Sequence, residues 1–353
     1  MSSDATPDEG SSEAASLDGS DPAPVALIDE ALPRPSAGIV LHRVLARSAH
    51  TFLLNDMDAD LARSPDRCEV VDVHDILTEG APPWARSAAT ALDGTQRRPT
   101  EAQRIHKSRV AMRRIRSNLR TFRLVLDPKW GTSLRAELGW YGRRLGQARD
   151  LTIIREVITD RGADVLAPDQ VHRLEAVVDE LMAAALADIA NERVGARRFQ
   201  LTEQMMAVWE GPAFKPKATR PADEILAPML HRAWHDLRGA AHTARRDPID
   251  ANLHKLRIRL KDLRYGCETV ALVDGGPARK TAKAAERLQS KLGDLHDASF
   301  SIGWLEDLGL RRADLAEPIE PLITVQREAA EAARKGWKRD LKEVERRWRR
   351  WQG

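Results

Sequence analysis

Cysteines and aromatic side chains are scarce in this chain of 353 residues, of which Phe, Trp and Tyr make up 5%. The two cysteines, Cys68 and Cys267, are far apart and match neither a disulfide framework nor the ligand spacing of a zinc site. We therefore expect a reducing, cytoplasmic environment. No run of about 18 apolar residues occurs, so we expect no transmembrane helix and no membrane partner. The acidic start of the chain also lacks the apolar segment of a signal peptide.

Strand-like segments and catalytic motifs are equally scarce. Only E-V-V-D-V at Glu69–Val73 has strand character, whereas Ala, Leu, Arg and Glu, which favour helix, are abundant. The sequence contains no Gly-rich phosphate loop, no G-x-S-x-G motif and no paired carboxylates. His231 and His235 share a helix face, but a zinc ion needs a third ligand and none is evident nearby. We expect an all-α protein that is not an enzyme and that holds no metal and no cofactor.

Charge is distributed unevenly along the chain, although the overall net charge is only +3. Residues 1–37 contain eight acidic residues and one Arg, a net charge of −7, which leaves +10 for the remainder. The tail is rich in Ser, Ala and Pro, and we expect it to be disordered because it cannot bury enough apolar surface. A basic body with an acidic tail indicates an anionic partner.

The most basic stretch lies between Arg104 and Arg123, where eight of twenty residues are Arg or Lys and none is acidic. Its apolar residues recur at helical spacing and define a core-facing side. Successive residues of a helix are turned by about 100°, which places a second side roughly 110° around the helix from the apolar one. This second side carries only basic side chains. Surface helices usually intersperse acidic residues, so this pattern favours a bound polyanion over a merely solvated face. The residues on the basic side are His106, Arg109, Arg113, Arg116 and Arg120.

The helices that we expect are separated by Pro- and Gly-containing breaks. A first helix begins near Gly38 and ends before Ser64, and an irregular insertion follows at 65–99. Thr100 with Gln103 resembles a capping box for the basic helix. The Pro/Lys-rich segment 211–222 reads as a linker between a first part (38–210) and a second part (223–353). The remaining expected helices span 100–126, 130–161, 168–193, 199–209, 223–245, 250–272, 277–309 and 316–351.

The sequence contains an internal repeat. L-H-K-L-R-I-R-L-K-D-L-R-Y, which begins at Leu253, matches the basic helix at a shift of 148, so that His106 aligns with His254 and Arg109 with Arg257. L-G-Q-A-R-D at Leu145–Asp150 matches L-G-D-L-H-D at a shift of 147. Two motifs in one order at nearly one spacing indicate a duplicated unit of about four helices. The copies differ where Arg114 aligns with Asp262 and Arg120 with Glu268, so we expect the first copy to carry more of the binding.

H-x-x-R-x-x-x-R-R-I-R in the first copy and the Leu253 segment in the second resemble the two halves of a CHAD domain, the conserved histidine α-helical domain. The resemblance covers roughly residues 38–350. It implies two four-helix bundles related by internal duplication and pseudo-two-fold symmetry, with a basic groove that binds inorganic polyphosphate. It also implies recruitment to polyphosphate granules.

We expect a non-catalytic site in which Arg forks and Lys charges meet phosphate oxygens. The histidines could donate to phosphate or could pack the helices. A nucleic-acid binder is the first alternative, and a metal-dependent polyphosphate or triphosphate hydrolase is the second. The Trp-containing stripe of the C-terminal helix favours packing over base stacking. The expected binding residues are His106, Arg109, Arg113, Arg114, Arg116, Arg120, Arg143, Arg144, Arg149, His254, Arg257, Lys261, Arg264, Tyr265, Lys291 and His296.

Overall fold

The architecture of the described residues, 34–56 and 99–352 of a computed structural model, is all-α. In these ranges the β contacts are two isolated bridges, Ser36 with Pro221 and Leu126 with Phe214. The α-helices are α1 Ala37–Asp56, α2 Glu101–Thr121, α3 Pro128–Arg144, α4 Gly146–Glu156, α5 Gly162–Val165, α6 Pro168–Arg193, α7 Ala196–Glu210, α8 Ala222–Arg246, α9 Asp250–Asp274, α10 Gly276–Arg311, α11 Ala316–Arg334 and α12 Trp337–Gln352.

Local side-chain chemistry fixes where the basic helix α2 begins and where α3 follows it. The predicted capping box is confirmed, because the Gln103 amide donates to Thr100 Oγ1 and the Thr100 amide donates to Gln103 Oε1. Asp127 caps α3 by accepting a 2.8 Å hydrogen bond from the Trp130 amide, and Pro128 occupies the first turn. The basic face is therefore held in one helix with a defined start.

Three predicted helix boundaries are wrong. The basic helix ends at Thr121 rather than at residue 126, because the Phe122 amide closes it on the Asn118 carbonyl. The helix predicted over 130–161 is broken at Leu145, and its last turn, Val157–Arg161, is π-helical. The helix predicted over 316–351 is two helices, separated at Gly336, whose φ of +79° is readily adopted only without a side chain.

Several sequence predictions lie outside the described residues. These are most of the acidic tail, the end of the first helix, the insertion at 65–99 and the short strand-like segment at Glu69–Val73. The described residues belong to one compact unit. No helix among them is long and apolar enough to cross a membrane.

The helices pack around α2, α9 and α10. Helix α1 lies against α2 and α7, helix α9 lies between α8 and α10, and α10 contacts α11 and α12. The predicted packing role of the C-terminal Trp stripe is confirmed, because Trp337 and Trp348 are buried and Trp348 stacks on Trp234. His231 contacts the same Trp348 ring edge-on, which gives it a packing role.

One buried ion pair ties α1 to α7. Arg198 Nε donates to Asp56 Oδ2 over 2.6 Å, and the Tyr141 hydroxyl donates to Asp56 Oδ1 over 2.8 Å. Burial beside the Asp56 carboxylate raises the pKa of Tyr141. Because each partner is needed to satisfy the others, the three residues fix α1, α3 and α7 together.

Candidate functional site

The two basic helices of the repeat, α2 and α9, contact each other directly. The Arg113 Nε donates to the Tyr265 hydroxyl over 3.1 Å, and the Thr269 hydroxyl donates to Asn118 Oδ1 over 3.0 Å. Gly266 of α9 has no room for a side chain. A Cβ there would lie 2.5 Å from a Leu230 methyl group of α8 and 3.3 Å from the Thr121 methyl group of α2. Tyr265, a predicted binding residue, is buried at this contact.

Two ion pairs cross the contact between α2 and α9. Arg114 Nη1 lies 2.7 Å from Glu268 Oε2, and Arg120 Nη1 lies 2.7 Å from Asp262 Oδ2. The Ser117 hydroxyl also donates to Asp262 over 3.0 Å. With the repeat shift of 148, Arg114 aligns with Asp262 and Arg120 aligns with Glu268, so each ion pair is the image of the other with charges exchanged. The predicted binding residues Arg114 and Arg120 are thus placed opposite carboxylates.

A group of basic side chains from α2 and α9, joined by one histidine of α10, converges beside this contact, and we call it the cationic cluster. Among the described residues none of its Arg and Lys side chains lies in an ion pair. Electrostatic repulsion links Arg113 to Lys261, Arg257 and Arg109. The members of the cationic cluster are Arg109, Arg113, Arg257, Lys261, His254 and His296.

Burial and mutual repulsion oppose the charge on this cluster. Burial, together with Arg113 and Arg257, lowers the pKa of Lys261 to about 6. Burial likewise lowers the pKa of Arg109 and of Arg257. Excess positive charge that is partly removed from water is unfavourable unless an anion answers it. The free cluster therefore carries a cost in free energy that a bound anion would reduce.

The two histidines of α9 and α10 form a pair within the cluster. The ring centroids of His254 and His296 are 4.4 Å apart, and His254 Nδ1 is buried without a hydrogen-bond partner in the described part of the chain. Burial, with His296, Arg257 and Lys261 nearby, lowers the pKa of His254 to about 4. Burial also lowers the pKa of His296, against the opposing effect of Asp297. His254 Nδ1 therefore remains a buried and unsatisfied polar atom within the cluster.

The glycines of the two L-G-x-x-x-D motifs have matching roles. A Cβ on Gly146 would lie 3.3 Å from Arg109 Nη1, and a Cβ on Gly293 would lie 3.0 Å from Arg257 Nη2. Each glycine lets the equivalent arginine lie flat against the next helix. Arg109 also donates to the Gly142 carbonyl over 2.7 Å.

The aspartates of the same motifs, Asp150 and Asp297, lie beside the cluster. Burial raises the pKa of Asp150, while Arg109 and His296 act in the opposite direction. The Asp297 carboxylate is electrostatically coupled to Arg257, Lys261 and His296. The two carboxylates thus offset part of the positive charge of the cluster.

Along α2 the positive surface continues through Arg116. Its guanidinium lies over Gly139, where an added Cβ would be 3.3 Å from Arg116 Nη2. Arg116 Nε has no hydrogen-bond partner among the described residues. Burial and the nearby Arg120, Arg135 and Arg143 lower the pKa of Arg116. Arg135 was not among the predicted residues, although its spacing of four from Gly139 on α3 would have placed it on this face.

Besides Arg114 and Arg120, four further predicted binding residues lie in ion pairs with carboxylates. Arg144 pairs with Glu192 at 3.1 Å, and Arg149 pairs with Glu156 at 3.5 Å. Arg264 lies between Glu268 and Glu286, and Lys291 Nζ lies 2.6 Å from Asp340. Sequence alone did not reveal these acidic partners because most of them lie far away in the chain. Of the other predicted residues, Arg143 is exposed and His106 is half-buried on α2.

Comparison with known proteins identifies what the chain is similar to. The CHAD domain family model matches residues 85–306. PptA from Streptomyces chartreusis has a similar fold with a TM-score of 0.60 and 20% identity, covering 87% of this chain and 100% of that one. The crystal structure of the CHAD domain from the plant Ricinus communis gives a TM-score of 0.62 with 17% identity, covering 88% and 92% respectively. No curated protein matches the sequence significantly.

Proposed function

Because the chain belongs to the CHAD domain family, we propose that it binds inorganic polyphosphate, without catalysis, at the cationic cluster. The observation that carries this proposal is the convergence of Arg109, Arg113, Arg257 and Lys261 without any ion pair among the described residues. Such a site carries its charge at a cost in free energy that a polyanion would remove.

Inorganic polyphosphate fits this chemistry because every phosphate unit carries a charge and oxygens on several sides. Arginine offers planar pairs of donors that match phosphate oxygens, and Lys261 contributes a compact charge. Arg116, Arg135 and Arg143 extend the positive surface along α2 and α3. A chain of phosphates would therefore meet a row of cations rather than a single pocket.

We further propose that the two halves of the chain are four-helix units related by a pseudo-two-fold axis that passes between α2 and α9. The exchanged ion pairs Arg114–Glu268 and Arg120–Asp262 support this arrangement, since a two-fold axis turns one into the other. Gly146 and Gly293, each beneath the equivalent arginine, support it as well. In this arrangement the basic groove is the surface where the two halves meet.

The proposal is tested by measuring affinity for long-chain polyphosphate at physiological salt with Arg113→Glu combined with Arg116→Glu. We expect loss of most binding and a flatter salt dependence, by about 0.7 in the logarithmic slope for each lost phosphate contact, as for single-stranded nucleic acids. Arg349→Glu with Arg350→Glu, which changes two exposed residues of α12 by the same charge, is the matched control. Unchanged binding by the first variant would refute the assignment.

Nucleic acid is the second candidate ligand, because a basic surface also attracts nucleic-acid phosphates. The buried Trp337 and Trp348 of the C-terminal helix offer no platform on which the bases of a single strand could stack. Single- and double-stranded nucleic acid should therefore bind more weakly than polyphosphate in the same titration. Equal or tighter binding of nucleic acid would overturn the preference.

A non-catalytic role rests on the acidic residues near the cluster, because phosphoryl transfer normally uses carboxylates that hold a metal beside the phosphate. Asp150 and Asp297 are instead coupled to Arg109 and Arg257. Incubation with polyphosphate and Mg²⁺ or Mn²⁺ should leave the chain length unchanged, and steady phosphate release would reveal an enzyme. Binding of this kind would suit association with polyphosphate granules, which fluorescence imaging of the tagged protein can test.

A further inference from the structure

A cleft of about 570 Å³ opens beside the cationic cluster, between α3 and α4 on one side and α10 on the other. This volume is within the range of small-molecule sites, roughly 300 to 1,000 Å³. One part of its wall is apolar and aromatic, formed by Leu151, Leu181, Phe300 and Trp304. Leu181, Phe300 and Trp304 are only partly buried against the core, so they present apolar surface to the cleft, whereas Leu151 belongs to the buried core itself.

The opposite part of the wall belongs to the cluster or borders it. Arg109 and Asp150 line the cleft, together with Arg143 and Gln147. Arg143 and Gln147 are exposed and have no hydrogen-bond partner in the described part of the chain. Arg311 also lines the cleft, but its guanidinium is ion-paired with Asp307, so its positive charge is already balanced. The cleft thus joins an aromatic wall to the proposed phosphate site.

Inorganic polyphosphate alone does not account for this combination. A phosphate chain has no apolar face to place against Trp304 and Phe300. The carboxylate of Asp150 would repel another phosphate, whereas it would accept hydrogen bonds from the hydroxyl groups of a ribose. Gln147 carries both a donor and an acceptor that suit the edge of a base.

We propose that the cleft binds the nucleoside part of a nucleoside triphosphate whose phosphates reach Arg109 and the cationic cluster. This inference rests on the proposed function, because the same cluster would hold the phosphates. The base lies against Trp304 and Phe300, and the ribose hydroxyls face Asp150. Stacking on an aromatic side chain contributes about 1–3 kcal/mol per base, roughly a 5- to 150-fold change in affinity.

The test compares ATP with inorganic tripolyphosphate, which offers phosphates without a nucleoside, by calorimetric titration of the full chain. Trp304→Leu should weaken ATP binding at least fivefold and change tripolyphosphate binding less than twofold. Trp351→Leu, at another half-buried tryptophan on α12, is the matched control and should change neither affinity. Equal effects of Trp304→Leu on both ligands, or on neither, would overturn the proposal.

A second measurement does not depend on the stability of a variant. Photolabelling of the unmodified protein with 8-azido-ATP should modify peptides of α4 or α10 that line the cleft, and excess ATP should protect them. Labelling confined to other peptides, or tripolyphosphate binding with no ATP binding, would refute the nucleotide site while leaving the proposed function intact. Failure of both tripolyphosphate and polyphosphate to bind would instead refute the proposed function.

Discussion

Replacing Asp262 by Asn should make the protein less stable and yet a tighter polyphosphate binder. The carboxylate accepts from Ser117 and faces Arg120 across the contact between α2 and α9. It also opposes the lowering of the pKa that burial and neighbouring arginines cause at Arg116 and Arg135. Asparagine retains an acceptor for Ser117 but removes the charge, so Arg120 would be freed beside Arg116 and Arg135, which extend the positive surface.

The magnitude follows from the geometry of the ion pair. Two unit charges about 4 Å apart attract by about 4 kcal/mol at an effective dielectric constant of about 20. The Asp262 side chain is only 11% exposed but that of Arg120 is 37% exposed, so screening and desolvation offset much of this attraction. We expect Asp262→Asn to lower the free energy of unfolding by about 1–2 kcal/mol. The same substitution made in an Arg120→Gln background should cost much less, because the ion pair is already absent there.

Urea denaturation measures the stability, and titration with polyphosphate at several salt concentrations measures the binding. One additional phosphate contact should steepen the logarithmic salt slope by about 0.7. Glu345→Gln is the control, since it also removes one acidic group from an ion pair, that with Arg245 between α8 and α12. Weaker binding by Asp262→Asn would show that Asp262 positions the basic side chains rather than competing with the ligand.

Two further predictions concern protonation and packing. Because burial lowers the pKa of Lys261 to about 6 and that of His254 to about 4, the free folded protein holds fewer protons than the unfolded chain. His254 should therefore raise the free energy of unfolding as pH increases from about 4 to 6.5. Lys261 should do the same between about pH 6 and 10.5. Binding of polyphosphate should restore protons to these groups, so the affinity should fall as pH rises above about 6. Calorimetry in buffers of different ionisation enthalpy measures this proton uptake. Absence of uptake would contradict the account. Gly266→Ala should lower the free energy of unfolding by about 1–3 kcal/mol in urea denaturation, because the new methyl group would overlap Leu230. Gly239→Ala is the control and should not destabilise the protein, because a Cβ there meets nothing within 4 Å. Equal stability of the two variants would show that the contact at Gly266 relaxes.

The helical character of the chain and the presence of the repeat were predictable because both depend on local patterns. Thr100 with Gln103 fixed one helix start, and the spacing of apolar residues placed the core faces. Breaks inside long helices were less predictable. Leu145 and Gly336 interrupt helices through their local backbone geometry, which the apolar periodicity does not contain.

The site was predictable in its basic residues but not in their partners. Arg109, Arg113, Arg257 and Lys261 converge as the repeat suggested. Sequence alone could not distinguish these from arginines that meet an acid on another helix, as Arg144 meets Glu192. The acidic replacements at 262 and 268, expected only to weaken the second copy, instead complete ion pairs with the first.

The exchanged ion pairs also make the two halves of the chain mutually selective. If α2 met a second α2 in the same geometry, Arg114 would face Arg120, and two α9 helices would place Asp262 opposite Glu268. Both self-encounters juxtapose like charges, whereas the native encounter satisfies four charges at once. The two ion pairs therefore favour the contact of α2 with α9 within one chain over an exchange between chains that would pair like helix with like.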